Sequence, residues 1–348
     1  MFQDISLPDL LASQEKETHT LVDVRSPKEF NEATIPGSIN IPIFNDEERA
    51  EVGTIYKQQG VEAAKERGLQ IFSQKLPAFI AEFKQIKTPM TVFCWRGGMR
   101  SKTAATVLEL MGIRANRLMG GIRTYRQWVV QELENQQFKP KLFVLNGYTG
   151  SGKTAILQRL SKHGYPVIDL EKMAGHRGSI FGQIGLEPSN QKKFDSLLIS
   201  EIRRYQDEPF VFIEGESKRI GKVYLPPFLN EKKENSLQLF LHLPVEERVR
   251  NILEDYQPWE YPHHFEEAFQ LIKKRIHTPI AKQIEEALES HDFALAIKLL
   301  LEYYYDPKYE YSTKHYPDKQ RITIEAATTD DAFQKILQMV KVSNQHSN

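Results

Sequence analysis

The tightest constraint on this chain lies near its middle, in Gly147-Tyr148-Thr149-Gly150-Ser151-Gly152-Lys153-Thr154. The spacing is G-x-x-x-x-G-K-[ST]. It follows KLFVLN (141–146), which reads as a strand, and opens a helical pattern from about Lys153. In that context glycines let successive backbone N–H groups turn inward around phosphate oxygens, and the helix N-terminus adds positive potential. Gly147, Gly150, Ser151 and Gly152 supply the cradle, Lys153 reaches the terminal phosphate, and Thr154 can ligate Mg²⁺. Downstream, YPVIDL (165–170), FVFIE (210–214), LQLFLHL (237–243) and RITIEA (321–326) read as further strands. They alternate with helical stretches, which predicts a parallel sheet covered by helices on both faces. Segments 264–276, 279–290 and 292–305 predict a helical insertion at about 264–305.

A phosphate loop that turns over nucleotides needs a metal-linked acid at the end of another strand. FVFIEGES offers Glu214 and Glu216, and Asp169 ends YPVIDL, but the third strand ends without an aspartate. The loop is therefore read as holding a diphosphate, with Mg²⁺ as its only expected metal and no tightly bound cofactor.

The first half carries its own strand–helix alternation. LVDV (21–24) and TVFC (91–94) read as strands, 45–68 as charged and helix-prone, and 101–112 and 123–133 as amphipathic helices. The polar NQQFKP (135–140) places a linker at 136–140, between a domain at 1–135 and a second at 141–348. Within the first, Cys94-Trp95-Arg96-Gly97-Gly98-Met99-Arg100-Ser101 joins a strand to a helix. A thiol at such a turn sits among inward-pointing N–H groups that stabilise its thiolate. Arg96 and Arg100 add charge for an anion, and Gly97 and Gly98 let the backbone approach it. An inert core cysteine is the alternative, and two glycines and two arginines within six residues weigh against it.

Composition narrows the class. Of 348 residues, 40% are apolar and 26% charged, and no apolar run approaches the eighteen or so of a membrane helix. The segment MFQDISLPDLLA has neither the basic nor the apolar region of a secretory signal. Lys+Arg 46 equal Asp+Glu 46, and charge balances on either side of the linker, so nucleic-acid affinity would need a local basic face. One cysteine precludes an intrachain disulfide. A reducing cytoplasm is the expected location.

The cysteine loop, together with LVDVRSPKEFNEATIPGSINIP (21–42), resembles the rhodanese family, which moves sulfur or selenium through a cysteine persulfide or perselenide. The resemblance covers most of 1–135 and implies that Asp23 and Arg25 are mainly structural. Common rhodanese loops read C-x-x-x-x-R. Here five residues separate Cys94 from Arg100, the count of the cysteine phosphatases, although Phe93 stands where those have histidine and no downstream proton donor is evident. A donor that is both chalcogen and phosphate fits both signals.

A rhodanese-like domain followed by a P-loop NTPase-like parallel-sheet domain is a narrow architecture. Across nearly the full length the chain resembles the bacterial tRNA 2-selenouridine synthases. The matching stretches are NDEERAEVGTIYKQQG (45–60), CWRGGMRS (94–101), GYTGSGKT (147–154), AGHRGSIFG (174–182), FIEGESKRIG (212–221) and YYDPKYEYS (304–312). The resemblance implies a two-step change at the wobble uridine (position 34) of tRNAs carrying 5-methylaminomethyl-2-thiouridine. Geranyl diphosphate alkylates the sulfur, and selenophosphate then supplies selenium as the geranylthio group leaves. It also implies tRNA as partner and an enzyme that supplies selenophosphate.

Secondary candidates follow by position. His176 and Arg177 lie in a glycine-rich turn where substrate commonly approaches. Lys218, Arg219 and Lys222 could meet RNA phosphates or the diphosphate; an ordinary charged loop is the even alternative. Tyr303, Tyr304, Tyr305, Tyr309 and Tyr311 could stack bases or line an isoprenoid pocket, but at this spacing they read first as core and rim packing. Lys273, Lys274 and Arg275 read as a solvated face. Against the tRNA-modifying transferase stand three alternatives. They are a sulfurtransferase fused to a nucleotide-dependent kinase or ATPase, a cysteine phosphatase-like enzyme, and a module that only senses anions.

Overall fold

The computed structural model describes residues 2–16, 18–135, 137–313 and 316–345. It divides into two compact units, 1–135 with 195–200, and 136–194 with 201–348.

The first unit is built on five parallel strands: β1 (Asp4–Ile5), β2 (Thr20–Asp23), β3 (Ile39–Asn40), β4 (Met90–Phe93) and β5 (Asn116–Leu118), in the order β1-β5-β4-β2-β3. Its helices are α1 (Leu7–Lys16), α2 (Pro27–Glu32), α3 (Asp46–Gln59), α4 (Val61–Phe83), α5 (Met99–Leu110) and α6 (Gly121–Asn135). The central strand β4 is buried along its length, as a strand covered on both faces must be. Val22, Val24, Val92, Phe83 and Leu108 form the floor of the core. The helix-prone stretch expected at 45–68 is two helices, parted at Gly60, whose φ of +93° favours glycine. The Asn45 side chain accepts from Glu48 N, and the Glu48 carboxylate accepts from Asn45 N, so α3 starts in a capping box. The Asp23–Arg25 pair is buried. Arg25 Nη2 donates to Asp23 Oδ2 at 2.6 Å and to the Ala33 carbonyl at 2.6 Å, and Thr34 donates to the same carboxylate at 2.9 Å.

The second unit contains β6 (Lys141–Gly147), α7 (Lys153–Lys162), β7 (Val167–Ile168), α8 (Leu170–Ala174), α9 (Gln191–Arg204) apart from 195–200, β8 (Phe210–Glu214), β9 (Arg219–Ile220), β10 (Val223–Tyr224), α10 (Pro227–Glu234), β11 (Leu237–His242) and α11 (Val245–Tyr256). Then come α12 (Pro262–Gln270), α13 (Thr278–Glu289), α14 (Phe293–Leu300), α15 (Asp306–Thr313), β12 (Arg321–Glu325) and α16 (Thr329–Gln345). The sheet runs β12-β11-β6-β8-β7, all parallel, which puts the strand before the glycine loop at its centre. Ligands in such sheets bind outside the carboxyl ends of the strands. YPVIDL is strand only at Val167–Ile168, because Asp169 caps α8 by accepting from Lys172 N at 2.8 Å. β9 and β10 form an antiparallel hairpin. Between α14 and α15 the chain makes a turn of π-helix at Leu301–Tyr305. The helices α11 to α14 share a core of their own around Phe265, Phe269, Ile284 and Ile297. No described helix is long and apolar enough to cross a membrane.

Candidate functional site

The glycine loop and α7 form a cavity of about 230 Å³ at the carboxyl end of β6. Gly150, Ser151, Gly152, Lys153 and Thr154 line it, and Gly147 anchors its start. Gly150 has φ +80°, and a Cβ there would stand 2.7 Å from the Arg248 carbonyl oxygen, so only glycine fits. Lys153 Nζ lies 3.4 Å from the Gly147 carbonyl oxygen. Burial works against its ammonium form, but Tyr309, Glu216, Glu171 and Glu214 outweigh it and hold its pKa above the ordinary lysine value.

The carboxylate that meets Thr154 is Glu171, on α8, rather than Asp169, Glu214 or Glu216. Glu171 Oε2 accepts from Thr154 Oγ1 at 2.8 Å. Burial pushes its carboxyl up to about 8, with Glu216 adding and Lys153 and Thr154 opposing. Glu214 is fully buried beneath it and accepts from Glu171 N at 2.9 Å. Burial first, and then Asp169, Glu171 and Glu216, hold Glu214 well above the usual carboxylate range. Glu214 thus sets the position of Glu171 and does not line the cavity; Glu216 does. A Thr hydroxyl and a carboxylate are hard oxygen donors suited to Mg²⁺, which takes its remaining ligands from phosphate and water. Among the described residues no group of three or more His, Cys, Asp or Glu side chains is placed to hold a metal ion.

Two residues outside every sequence-level candidate brace the loop. Arg248, on α11, is buried. Its Nε donates to the Thr149 carbonyl at 2.9 Å, and its two Nη atoms bind Asp306 at 2.9 and 2.6 Å. The guanidinium also lies 4.9 Å from the centre of the Tyr148 ring. Asn251, one turn on, donates to the Gly150 carbonyl at 2.8 Å. Asp306 belongs to the YYDPKYEYS stretch, which explains what that stretch does locally. The only signal in the sequence was an arginine flanking the apolar stripe Val245, Val249, Ile252 of α11.

The remaining candidates separate. Arg177 lines the cavity, with its guanidinium donating to the Ile184 and Asp255 carbonyls at 2.8 and 3.0 Å. His176 sits behind the loop. Its Nδ1 accepts from Gly178 N at 3.1 Å, and a Cβ at Gly221 would stand 2.6 Å from its ring. Burial lowers its pKa, Glu216 opposing. Lys218, Arg219 and Lys222 are exposed on or beside the β9–β10 hairpin and do not line the cavity. The π-turn sends Tyr304 into the core, leaves Tyr303 exposed and sets Tyr305 in the wall, where Tyr309 joins it. The side chain of Tyr311 lies outside the described residues. Lys273 pairs with Glu285 at 2.5 Å on the helical surface.

An apolar slot opens beside the cavity. It is about 20 Å³, shares Thr149, Ser179, Ile252, Tyr256 and Tyr305 with the cavity, and is bounded by the buried Phe181, Phe265, Ile297 and Leu300.

In the first unit, Cys94 is buried at the end of β4, its Sγ 3.2 Å from Ser101 Oγ. The following loop is pinned by Ile122 N to the Cys94 carbonyl at 2.9 Å and Arg123 N to the Trp95 carbonyl at 3.0 Å. Gly97, at φ +64°, passes so close to β5 that a Cβ would stand 2.8 Å from the Leu118 carbonyl. Arg96 and Gly98 are exposed. Arg100 is partly buried and bound by Glu29 at 2.5 and 3.1 Å. Burial opposes both charges, yet the pair holds Glu29 below and Arg100 above its ordinary value. Arg100 is thus a cation held by Glu29, and Arg96 an exposed one, in the thiol's loop.

Comparison with known proteins agrees with both halves. Residues 140–343 match the family described as tRNA 2-selenouridine synthase AAA domain, and 6–127 match the rhodanese-like domain. A tRNA 2-selenouridine synthase of Bdellovibrio bacteriovorus is 30% identical over 347 residues, covering 87% of this chain and 91% of its own. The chain belongs to the tRNA 2-selenouridine synthase family. A relative of that name from Nitrosomonas europaea is 38% identical over 262 residues, covering 73% of this chain and 67% of its own. The N-terminal domain of an ATP/GTP binding protein from Clostridium difficile 630 is 33% identical over 37% of this chain and 99% of its own, with a TM-score of 0.35.

Proposed function

We propose that the chain is a transferase that converts 2-thiouridine at the wobble position of tRNA to 2-selenouridine through S-geranyl-2-thiouridine, using geranyl diphosphate and selenophosphate. Family membership supports tRNA 2-selenouridine formation. The observation that favours a diphosphate substrate is the phosphate cavity itself, where the glycine loop and Lys153 line a space of about 230 Å³; the apolar slot beside it, at about 20 Å³, would have to widen to admit an allylic chain.

In the first step the thiocarbonyl sulfur attacks C1 of the geranyl chain, the C–O bond breaks, diphosphate departs with the electron pair, and N3 of the alkylated base gives up its proton to water. Lys153 and the N–H groups of the glycine loop stand where that charge develops. Thr154 and Glu171 would hold Mg²⁺, which neutralises the departing diphosphate when bound.

In the second step selenium attacks C2 and the C2–S bond breaks. Geranylthiolate leaves and takes up a proton. With water, the P–Se bond gives phosphate, and C2 keeps selenium. S-alkylation makes this exchange feasible because it removes thioamide resonance and turns a poor leaving group into a better one. Cys94 serves at the exchange, and Arg96 and Arg100 offer charge to the phosphate part of the donor. An enzyme that makes selenophosphate would supply the donor.

Glu171 at Thr154 also meets the metal-linked acid requirement of a nucleotide-dependent enzyme, so that reading keeps one specific support. The experiment is a purified reaction of the protein, tRNA bearing 5-methylaminomethyl-2-thiouridine, Mg²⁺ and geranyl diphosphate, with ATP and GTP absent. Mass spectrometry of the digested tRNA is expected to show the S-geranyl nucleoside. A strict nucleotide requirement would favour the second reading.

A further inference from the structure

The loop after Cys94 carries a feature that the chemistry of the thiol does not use. Trp95, the next residue, is 41% exposed, although tryptophan is on average a highly buried residue. The segment 119–123 packs against this loop. Arg123 N donates to the Trp95 carbonyl at 3.0 Å and Ile122 N to that of Cys94 at 2.9 Å, while a Cβ at Gly97 would stand 3.0 Å from Gly120 N. Trp95, Arg96 and Arg123 therefore belong to one surface, held together by backbone hydrogen bonds. Met99 and Met119, in the same two segments, are exposed as well.

The cations of this surface divide into two kinds. Arg100 is bound by Glu29 and Arg117 by Asp4. Arg96 and Arg123 are exposed, and among the described residues neither side chain makes a hydrogen bond or an ion pair. A single exposed aromatic residue is ordinary on a protein surface. An exposed indole with two unpaired guanidinium groups beside it suits single-stranded nucleic acid, whose bases stack on the ring and whose phosphates meet the cations. Because the chain's net charge is zero, RNA affinity has to be concentrated in such a place.

We propose that Trp95, Arg96 and Arg123 form the surface on which the first unit holds the unpaired tRNA loop around the wobble position, one base stacked on the indole and neighbouring phosphates on the two arginines. That the strand belongs to tRNA rests on the reading above. Trp95 follows Cys94 directly, so a base held there is delivered to the loop that serves the second step.

The test measures the affinity of the full-length protein for tRNA bearing 5-methylaminomethyl-2-thiouridine by fluorescence anisotropy over a range of salt concentrations. Selenophosphate is left out, so that a role of Arg96 toward the donor does not enter. Circular dichroism checks that each variant folds. Trp95→Ala is expected to weaken binding about fivefold or more with the salt slope unchanged, because stacking releases no counterions. Trp95→Phe keeps a ring and is expected to bind within about twofold of the native protein. Arg96→Gln/Arg123→Gln is expected to lower the slope of log Kd against log salt by about 1.4, about 0.7 for each phosphate of a single strand. Lys84→Gln/Lys87→Gln, exposed positions just before β4 and so at the other end of that strand from Cys94, is the control and is expected to keep the native slope. If the native protein binds tRNA and the Trp95→Ala and double-arginine variants match it in affinity and slope, the proposal is overturned while the tRNA reading stands. Equal losses in Trp95→Phe and Trp95→Ala would also overturn it, because the ring would then not be a stacking platform. A native protein that binds no tRNA would overturn the proposal and the tRNA reading together.

Discussion

Replacing Arg248 with Met tests whether the phosphate loop is held open by its neighbours. Arg248 is a buried cation with three charge-assisted or carbonyl contacts, at 2.9 Å to Thr149 and at 2.9 and 2.6 Å to Asp306. Methionine keeps most of the apolar stem and removes the charge. Breaking a buried ion pair by removing one partner costs about 3–5 kcal/mol, mostly because the other charge is left unpaired. Asp306 is 24% exposed, so water partly repays that loss. Adding about 1 kcal/mol for the Thr149 carbonyl, we expect a net destabilisation of about 3 kcal/mol. Urea unfolding at pH 7, with the transition of the second unit followed separately, reads this as a lowered midpoint with an unchanged slope. Because Thr149 is part of the cradle, geranyl diphosphate affinity is expected to fall about fivefold or more at 1 kcal/mol of lost pre-organisation. Arg248→Met/Asp306→Asn removes the stranded charge and is expected to recover at least 1 kcal/mol relative to Arg248→Met. A loss of less than about 1 kcal/mol in Arg248→Met, with no recovery in the double variant, would refute the reasoning.

Other perturbations read other parts of the account. With its carboxyl pushed up to about 8, Glu171 must lose a proton to ligate Mg²⁺, so Mg²⁺ affinity is expected to rise with pH through about 8 and binding to release protons. Calorimetry in buffers of different ionisation enthalpy checks it, and a flat profile would remove Glu171 from the metal site. The same raised pKa means that the folded form holds more protons than the unfolded form between the ordinary carboxylate value and about 8. Without Mg²⁺, stability is therefore expected to fall as pH rises through that window, and thermal melts from pH 5 to 9 test the sign. Net charge is zero, so tRNA affinity must come from a local face. Replacing Lys218, Arg219 and Lys222 together is expected to flatten the dependence of tRNA affinity on salt, and an unchanged slope would exclude the hairpin from the RNA surface.

Both loops were legible because each is a contiguous string whose chemistry is written in neighbouring residues. The glycine loop declares its strand, turn and helix within fourteen positions, and Cys94 is flanked by its own arginines. What escaped was whatever acts across distance. Glu171 reaches Thr154 from α8; the sequence offers Asp169 at that strand end and Glu214 and Glu216 after β8, and a strand read through Leu170, past the cap at Asp169, hides that the next carboxylate lies on a helix. Arg248 and Asn251 reach Thr149 and Gly150 from about a hundred residues on, and nothing in a helix with an apolar stripe announces that target. β1 and β3, at two residues each, are too short for a period-two pattern to show. The tyrosine run read as packing; the π-turn splits it, sending Tyr304 to the core and Tyr305 to the cavity, a division that α-helical spacing does not predict.

The central claim is a division of labour: Lys153 serves a diphosphate leaving group, and Cys94 serves chalcogen exchange. Losing a group at a reacting centre typically costs orders of magnitude, so separate steps should fail separately. The measurement is liquid chromatography of digested tRNA, following thio, geranylthio and seleno nucleosides, with Cys94→Ala and Lys153→Ala proteins shown to be folded. Cys94→Ala is expected to accumulate the geranylthio nucleoside and make no seleno nucleoside. Lys153→Ala is expected to stall at the thio nucleoside, yet to form seleno nucleoside from pre-geranylated tRNA, because that step releases no diphosphate. If Cys94→Ala abolishes geranylation as completely as Lys153→Ala does, the two steps share one composite site and the division is wrong.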